Sequence, residues 1–366
     1  MAKREYPDPV LLGLASALVM FGLLVLASVS ASFSMQRFGT PFYYFVHQIE
    51  YGLLPGLLGA FFLFRLPAER LRAWSFVLLA GTVLLLLAVF IPGIGTKFGG
   101  AHRWVSLGSF SFQPSEFLKL TLVLYLAAWL SSRPRTRTEP LQKTFVPFLC
   151  VMAALGSLLL LQPDLGTFGI VALGALVVYF VANTPSWHTL LLVALGAAGL
   201  FLLIFIAPYR MSRLAVFLDP ALDPLGKGFQ AKQALISIGS GGVTGVGAGM
   251  SMQKFGTLPE PISDSIFAIF AEEMGFIGGI LLVVLFLAFC MRAFMLSANI
   301  PGDFKRLVMV GIASWFSIQA FVNIGSMIGL IPLTGIPLPF FSYGGTALIT
   351  EISAIGLMLN LSKQAK

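Results

Sequence analysis

Long apolar runs separated by short polar punctuation dominate the chain. Runs close to the roughly 20 residues needed to cross a bilayer fall at 9–32, 45–65, 74–92, 113–131, 145–162, 165–183, 188–207, 265–294, 308–329 and 345–361. They predict ten transmembrane helices, the fifth and sixth separated only by the tight turn Gln162-Pro163-Asp164. The rhythm breaks at 208–264, a long polar and glycine-rich connection between helices 7 and 8. The expected fold is an all-α polytopic membrane protein, a single integral domain over residues 1–366.

Composition agrees: 57% of residues are hydrophobic and only 10% charged, too little polar surface for a water-soluble globule. The net charge of +8 does not point to nucleic acid, because the basic residues are spread over short loops and not gathered on one face. They act as topology signals. One side of the spans holds Lys3, Arg4, Arg65, Arg70, Arg72, Arg133, Arg135, Arg137, Lys143, Arg292, Lys305, Arg306, Lys363 and Lys366, and the short loops opposite hold Arg37, Lys97 and Arg103. The richer side is expected to be cytoplasmic, which puts both termini inside and the 208–264 loop outside. Cys150 and Cys290 lie in apolar runs as packing residues, and His47, His102 and His188 lack metal-ligand spacing. The first run is long enough to span and no small-residue cleavage site follows it, so it is expected to remain as a helix.

Three segments on the outer side carry the unusual chemistry. The first runs from Gly99 through His102, Arg103 and Trp104 to Gln113-Pro114-Ser115-Glu116-Phe117-Leu118-Lys119. Ser115, Glu116 and Lys119 share one helical face there, as part of a site or as a structural ion pair at membrane depth. The second is the long loop. Arg210 and Arg213, at i and i+3, could present two guanidiniums to a pyrophosphate or simply sit at headgroup level. It continues through Gln230 into the run Gly239 to Glu273, where Lys254, Glu260 and Asp264 stand at the mouth of an apolar helix. Asp264 is read as the centre of an active site, with helix capping as the alternative. No strand precedes Gly245-x-Gly247-x-Gly249, so a nucleotide-binding glycine loop is rejected. The third is 331–346, with three prolines and three glycines in an apolar setting, carrying Ser342 and Tyr343. Irregular backbone of this kind lines a cavity or forms a rigid surface loop.

In order along the chain, GAHRWVSLGSFSFQPSEFLK, QPDLGT, YRMSRLAVFLDP, GFQAKQALISIGSGG, LPEPISDSIFAIFAEEMG and GLIPLTGIPLPFFSYGG resemble the signatures of the shape, elongation, division and sporulation proteins, the family of RodA and FtsW. The compact GVGAGMSMQKFGTLPEP stretch looks closer to FtsW. Two departures are Ser265, where the family mostly has Phe, and Ile262-Ser263, where His-Thr is common. They put pocket shape in doubt and leave the aspartate in place.

The resemblance implies a multi-pass protein of the bacterial cytoplasmic membrane, a peptidoglycan glycosyltransferase that polymerises lipid II at the outer face, with septal synthesis in cell division as the expected role. An elongation polymerase of the RodA type and a lipid II flippase are the alternatives. The reaction would invert the anomeric centre and release undecaprenyl pyrophosphate, with Asp264 mapping onto the family's essential aspartate as general base. Lys119 maps onto the lysine of the Q-P-S-E-x-x-K motif, which in the family lies close to that aspartate. Arg210 and Arg213 are candidates for the pyrophosphate, and Gln113, Ser115, Glu116, Gln230, Lys254, Glu260, Ser342 and Tyr343 would line the cavity. Glu272 and Glu273 differ by about 100° around their helix, so at most one is expected to face the site. A divalent cation among carboxylate and pyrophosphate oxygens is compatible with such chemistry, although the sequence has no ligand cluster dedicated to one. The implied partners are a class B penicillin-binding transpeptidase, because this chain has no transpeptidase motif, and other division or elongation membrane proteins.

Overall fold

The computed structural model describes residues 6–98, 101–108, 110–133, 141–223 and 226–365. Lys3, Arg4, Gly99, Gly100, Arg135, Arg137 and Lys366 lie outside them. The chain forms a helical bundle, with helices α1 Pro9–Phe38, α2 Tyr43–Gln48, α3 Leu54–Arg65, α4 Ala68–Ala88, α5 Pro114–Ser131, α6 Phe145–Leu161, α7 Leu165–Val181, α8 Ser186–Ile206, α9 Pro208–Leu218, α10 Lys227–Ser240, α11 Ile266–Asn299, α12 Asp303–Met327 and α13 Gly345–Ser362. Among the described residues, α1, α4, α8, α11, α12 and α13 are long and apolar enough to cross a membrane. Two shorter apolar helices are α6 and α7, and α2, α3 and α5 lie in the other apolar runs. The centre of the bundle is α12 and α13, which are largely enclosed, and α8 lies at its margin.

Four features depart from the hydropathy reading. The second span is one continuous rod only through a π-helical turn, Ile49–Leu53. Pro55 just beyond it has no N–H to give to the preceding turn, and a wider turn absorbs the mismatch. Between the third and fourth apolar runs, where no regular element was expected from hydropathy, the chain forms a three-stranded antiparallel sheet, β1 Gly95–Phe98, β2 Ala101–Leu107 and β3 Phe110–Phe112, in the order β1-β2-β3. Val105 faces Phe112 in its register, and these two side chains pack on Val89 at the end of α4. The long connection contains two helices, α9 and α10.

The fourth departure is in α11, which runs through a break at Gly275 (φ 67°, ψ −167°). That backbone region is open essentially only to glycine. The glycine-rich segment after α10 fills the break: Val246 and Gly247 donate their N–H groups to the carbonyls of Glu272 and Glu273, and Phe276 and Ile277 donate to those of Gly242 and Val243. Backbone meets backbone so closely that a Cβ on Gly275 would lie 2.3 Å from the Gly245 nitrogen. The glycines of this segment therefore serve to repair a broken helix, with no nucleotide involved.

Polar contacts sort the two ends of the bundle. At one end Asp8 caps α1 and pairs with Arg292, Lys305 pairs with Glu69, and Arg306 with Asp303. At the opposite end, the sheet, α9, α10 and the irregular 328–344 segment gather over the helix ends.

Candidate active site

Asp264 lies in a tight turn two residues ahead of α11. The Glu260 carbonyl accepts the N–H groups of Ser263 and Ser265, and Glu260 itself holds the left-handed φ of 50° that closes the turn. Ser265, not Asp264, is the N-cap of α11, and the cap makes no side-chain hydrogen bond. The Asp264 carboxyl is therefore not engaged as a helix cap. It is 8% exposed, and its Oδ1 accepts no hydrogen bond. Burial raises the carboxyl to about 7 and the negative charge of Glu260 pushes the same way, while the amides of Asp264, Ser265 and Gln230 pull it back. A carboxylate with that affinity for a proton is suited to general-base work at neutral pH.

Three elements hold this turn in place. From α10, Gln230 donates to the Ser265 hydroxyl at 3.2 Å. From α12, the Asn323 amide donates to the main-chain carbonyls of Asp264 (2.8 Å) and Ile336 (2.7 Å), tying the aspartate to the irregular segment. From that segment, the Ser342 hydroxyl donates to the Ser263 carbonyl at 2.5 Å and accepts the Leu338 N–H at 2.8 Å. The Tyr343 N–H meets the Ile262 carbonyl, and its hydroxyl bonds His47 at 2.9 Å. The proline-rich 331–344 stretch is thus wall and support for Asp264.

A second cluster surrounds Lys119. Its ammonium lies 2.6 Å from Glu116, donates to Gln319 at 3.0 Å and faces the Trp315 ring at 5.1 Å. The expected companion of Asp264 is thus engaged with Glu116. Gln319 donates in turn to the Pro337 carbonyl at 2.9 Å and stands one turn from Asn323 on α12. Any coupling between Lys119 and Asp264 therefore runs through two amides and the irregular segment. Gln113 donates to Ser115 at 2.9 Å and lies 3.5 Å from Asp164, while its N–H donates to Thr346. Arg103 clamps the Gln162-Pro163-Asp164 turn through the Gln162 and Pro163 carbonyls.

Lys254 belongs to a third cluster. It donates to Glu273 at 3.0 Å and to the Gly249 carbonyl at 2.6 Å, and Glu273 also accepts from Ser28 of α1. Glu272 accepts from Ser251, Ser237 and the Met252 N–H. Both carboxylates are buried and hold the loop that fills the helix break, with none of their hydrogen bonds going to the turn that carries Asp264. The break at Gly275 and the folded-back loop surround both side chains at once. On α9, Arg210 donates to the Leu203 carbonyl at 3.0 Å. Arg213 lines an apolar cavity of about 110 Å³ with Val216, Phe217, Leu235, Ile331 and Leu333.

Gln319, Asn323 and Glu351 are polar groups of the site region that motif reading passed over. Glu351 is a lone charge in the last apolar run, the kind of residue that marks function at membrane depth. Gln319 and Asn323 are an i, i+4 pair within the apolar run of α12.

Apolar helices enclosing buried charges, with polar loops folded over one end, define a polytopic membrane protein. The family model for cell cycle proteins of the FtsW, RodA and SpoVE type matches residues 9–366. The chain is 38% identical over 364 residues to stage V sporulation protein E of Bacillus subtilis (strain 168), covering 100% of this chain and 99% of that protein. It is 40% identical over 368 residues to a probable peptidoglycan glycosyltransferase FtsW of Nitrosococcus halophilus, covering 98% and 93%. Its fold is similar to a chain of a peptidoglycan synthase complex (TM-score 0.80, 32% identity, 97% of each chain). It is also similar to the rod shape determining protein RodA of Thermus thermophilus (TM-score 0.71, 29% identity, 98% of this chain and 97% of that one). The chain belongs to the FtsW, RodA and SpoVE family, and it is a multi-pass membrane protein.

Proposed function

We propose that this chain is a peptidoglycan glycosyltransferase that extends glycan strands from lipid II at the outer face of the cytoplasmic membrane, in the division-type branch. The observation that carries the reading is the Asp264 carboxyl: buried, unused as a cap, raised to about 7 and carried on a turn that is held from three sides. Asp264 takes the proton of the acceptor sugar's 4-hydroxyl as that oxygen bonds to the donor's anomeric carbon. The bond from this carbon to phosphate breaks on the opposite face, so the centre inverts and the undecaprenyl pyrophosphate leaves with the electron pair. Arg210 and Arg213 on α9 are the guanidiniums assigned to the departing pyrophosphate. The compact loop carrying Ser251, Gln253 and Lys254, and relatives that bear the name FtsW, support the division role.

Among the described residues, no three His, Cys, Asp or Glu side chains converge as a metal cage. A divalent cation would therefore be held largely by substrate oxygens, with Asp264 and Glu260 as the nearby carboxylates, and would supply positive charge to the leaving group. A class B penicillin-binding transpeptidase is the proposed partner. One of the similar solved chains comes from a complex that couples polymerization to crosslinking.

Purified protein supplied with that partner and labelled lipid II in detergent, where no leaflets exist, should yield polymeric glycan. Absence of polymer in detergent, together with lipid II movement across vesicles, would replace this reading with a flippase.

A further inference from the structure

Glu351 has no role in the chemistry above. It lies in the middle of α13, is 2% exposed, and accepts the N–H of Phe340 at 2.8 Å on its Oε2. A carboxylate at this depth is costly and needs partners. Lys119 and Glu116 lie within its electrostatic reach.

The residue it holds is strained. Phe340 has a φ of 66°, a left-handed backbone that is a true outlier for a bulky side chain. Such a conformation persists only where its surroundings impose it. Here they act from three directions. Glu351 holds the N–H. The carbonyl lies against α1 at Gly22, where a Cβ would come within 2.2 Å of the Phe340 oxygen. The ring packs against Phe316, Phe289 and Phe286. Two and three residues later the chain delivers Ser342 to the Ser263 carbonyl and Tyr343 to the Ile262 carbonyl. Those are the two residues preceding Asp264.

We propose that Glu351 is a positioning residue: by fixing the Phe340 peptide it sets the turn that carries Ser342 and Tyr343, and through them the backbone that presents Asp264. This inference rests on the glycosyltransferase reading.

The competing role is that of a charge partner which merely stabilises α5 against α13, and two substitutions separate them. Glu351→Gln keeps an oxygen for the Phe340 N–H and loses the charge, whereas Glu351→Met keeps the bulk and loses the acceptor. Polymerisation of lipid II should stay within about threefold of wild type for Gln. For Met, kcat should fall by about 10- to 100-fold, the scale of a misplaced catalytic group, with KM nearly unchanged and the pH midpoint of the rate displaced. Gly22→Ala, which presses on the same peptide from the opposite side, should reproduce the kcat loss and the displaced midpoint, and it serves as the test if Glu351→Met does not fold. Equal impairment by Gln and Met, a loss confined to KM, or wild-type kcat in Glu351→Met or Gly22→Ala would overturn the inference. A wild-type protein that makes no polymer would instead remove the glycosyltransferase reading, and the inference with it.

Discussion

Asp264 sets the pH behaviour of the molecule in two ways. As a base it must be ionised, so the polymerisation rate should rise with pH through a midpoint near 7, measured as turnover from pH 5.5 to 8.5. In the folded protein the carboxyl keeps its proton where the unfolded chain has lost it. Its contribution to stability is therefore full below 3.8, declines as pH rises and is gone above about 7. The difference in thermal midpoint between wild type and Asp264→Asn should follow that decline; a difference independent of pH would contradict it. Lys119→Met leaves Glu116 buried without its ammonium, an effect of about 3–5 kcal/mol, and should lower both stability and activity. Adding Glu116→Gln should restore stability while leaving activity low, and recovery of both would make the pair purely structural. Asp264, Lys119 and Glu116 were legible because charge is rare in this chain and each stands beside an apolar run. Glu351 is equally visible as a charge, but its contact with Phe340, eleven positions away across a helix start, exists only once the chain has folded. The resemblance implied that Lys119 lies close to Asp264, and the sequence had no means of showing that Gln319 ties Lys119, and Asn323 ties Asp264, to the irregular segment.

The helices of the bundle follow the apolar runs, since a lipid-facing backbone must satisfy its own hydrogen bonds. What hydropathy could not reveal is the backbone geometry within and between those runs. The break at Gly275 lies in a continuous apolar sequence, and its repair by Gly242 to Gly247 joins positions about 30 residues apart. Gly275→Ala would put a Cβ into a glycine-only conformation and against the Gly245 nitrogen. We expect a loss of roughly 3 kcal/mol or more, seen as a lowered thermal midpoint and faster proteolysis of the 241–255 loop. An unchanged midpoint would mean that the break is not required. The sheet at 95–112 was hidden for a different reason: its strands are three to seven residues long and lack a long run of alternation. Within the 208–264 connection, the polar character of α9 and α10 masked two helices lying outside the apolar runs.

Across the whole molecule, the ion pairs of Arg292, Lys305 and Arg306 and the turn that carries Asp264 lie at opposite ends of the bundle, and labelling tests the sidedness expected from the charge asymmetry. In a background with Cys150 and Cys290 replaced by serine, a cysteine at Asp303 should react with an impermeant reagent only from the cytoplasmic side, and one at Leu222 only from outside. Labelling at 222 from the cytoplasm would invert the topology and remove the site from the outer face on which the proposed function depends. If the carboxyl of Asp264 performs the chemistry, removing it must stop polymerisation and spare substrate binding. Wild type and Asp264→Asn, each purified with the transpeptidase partner, are given labelled lipid II in detergent, and glycan length and lipid II binding are measured together. Asparagine keeps the shape and removes the basic oxygen, so polymerisation should fall by about 10²- to 10⁴-fold with binding retained. Polymerisation by Asp264→Asn near the wild-type rate would contradict the assignment of Asp264 as the base.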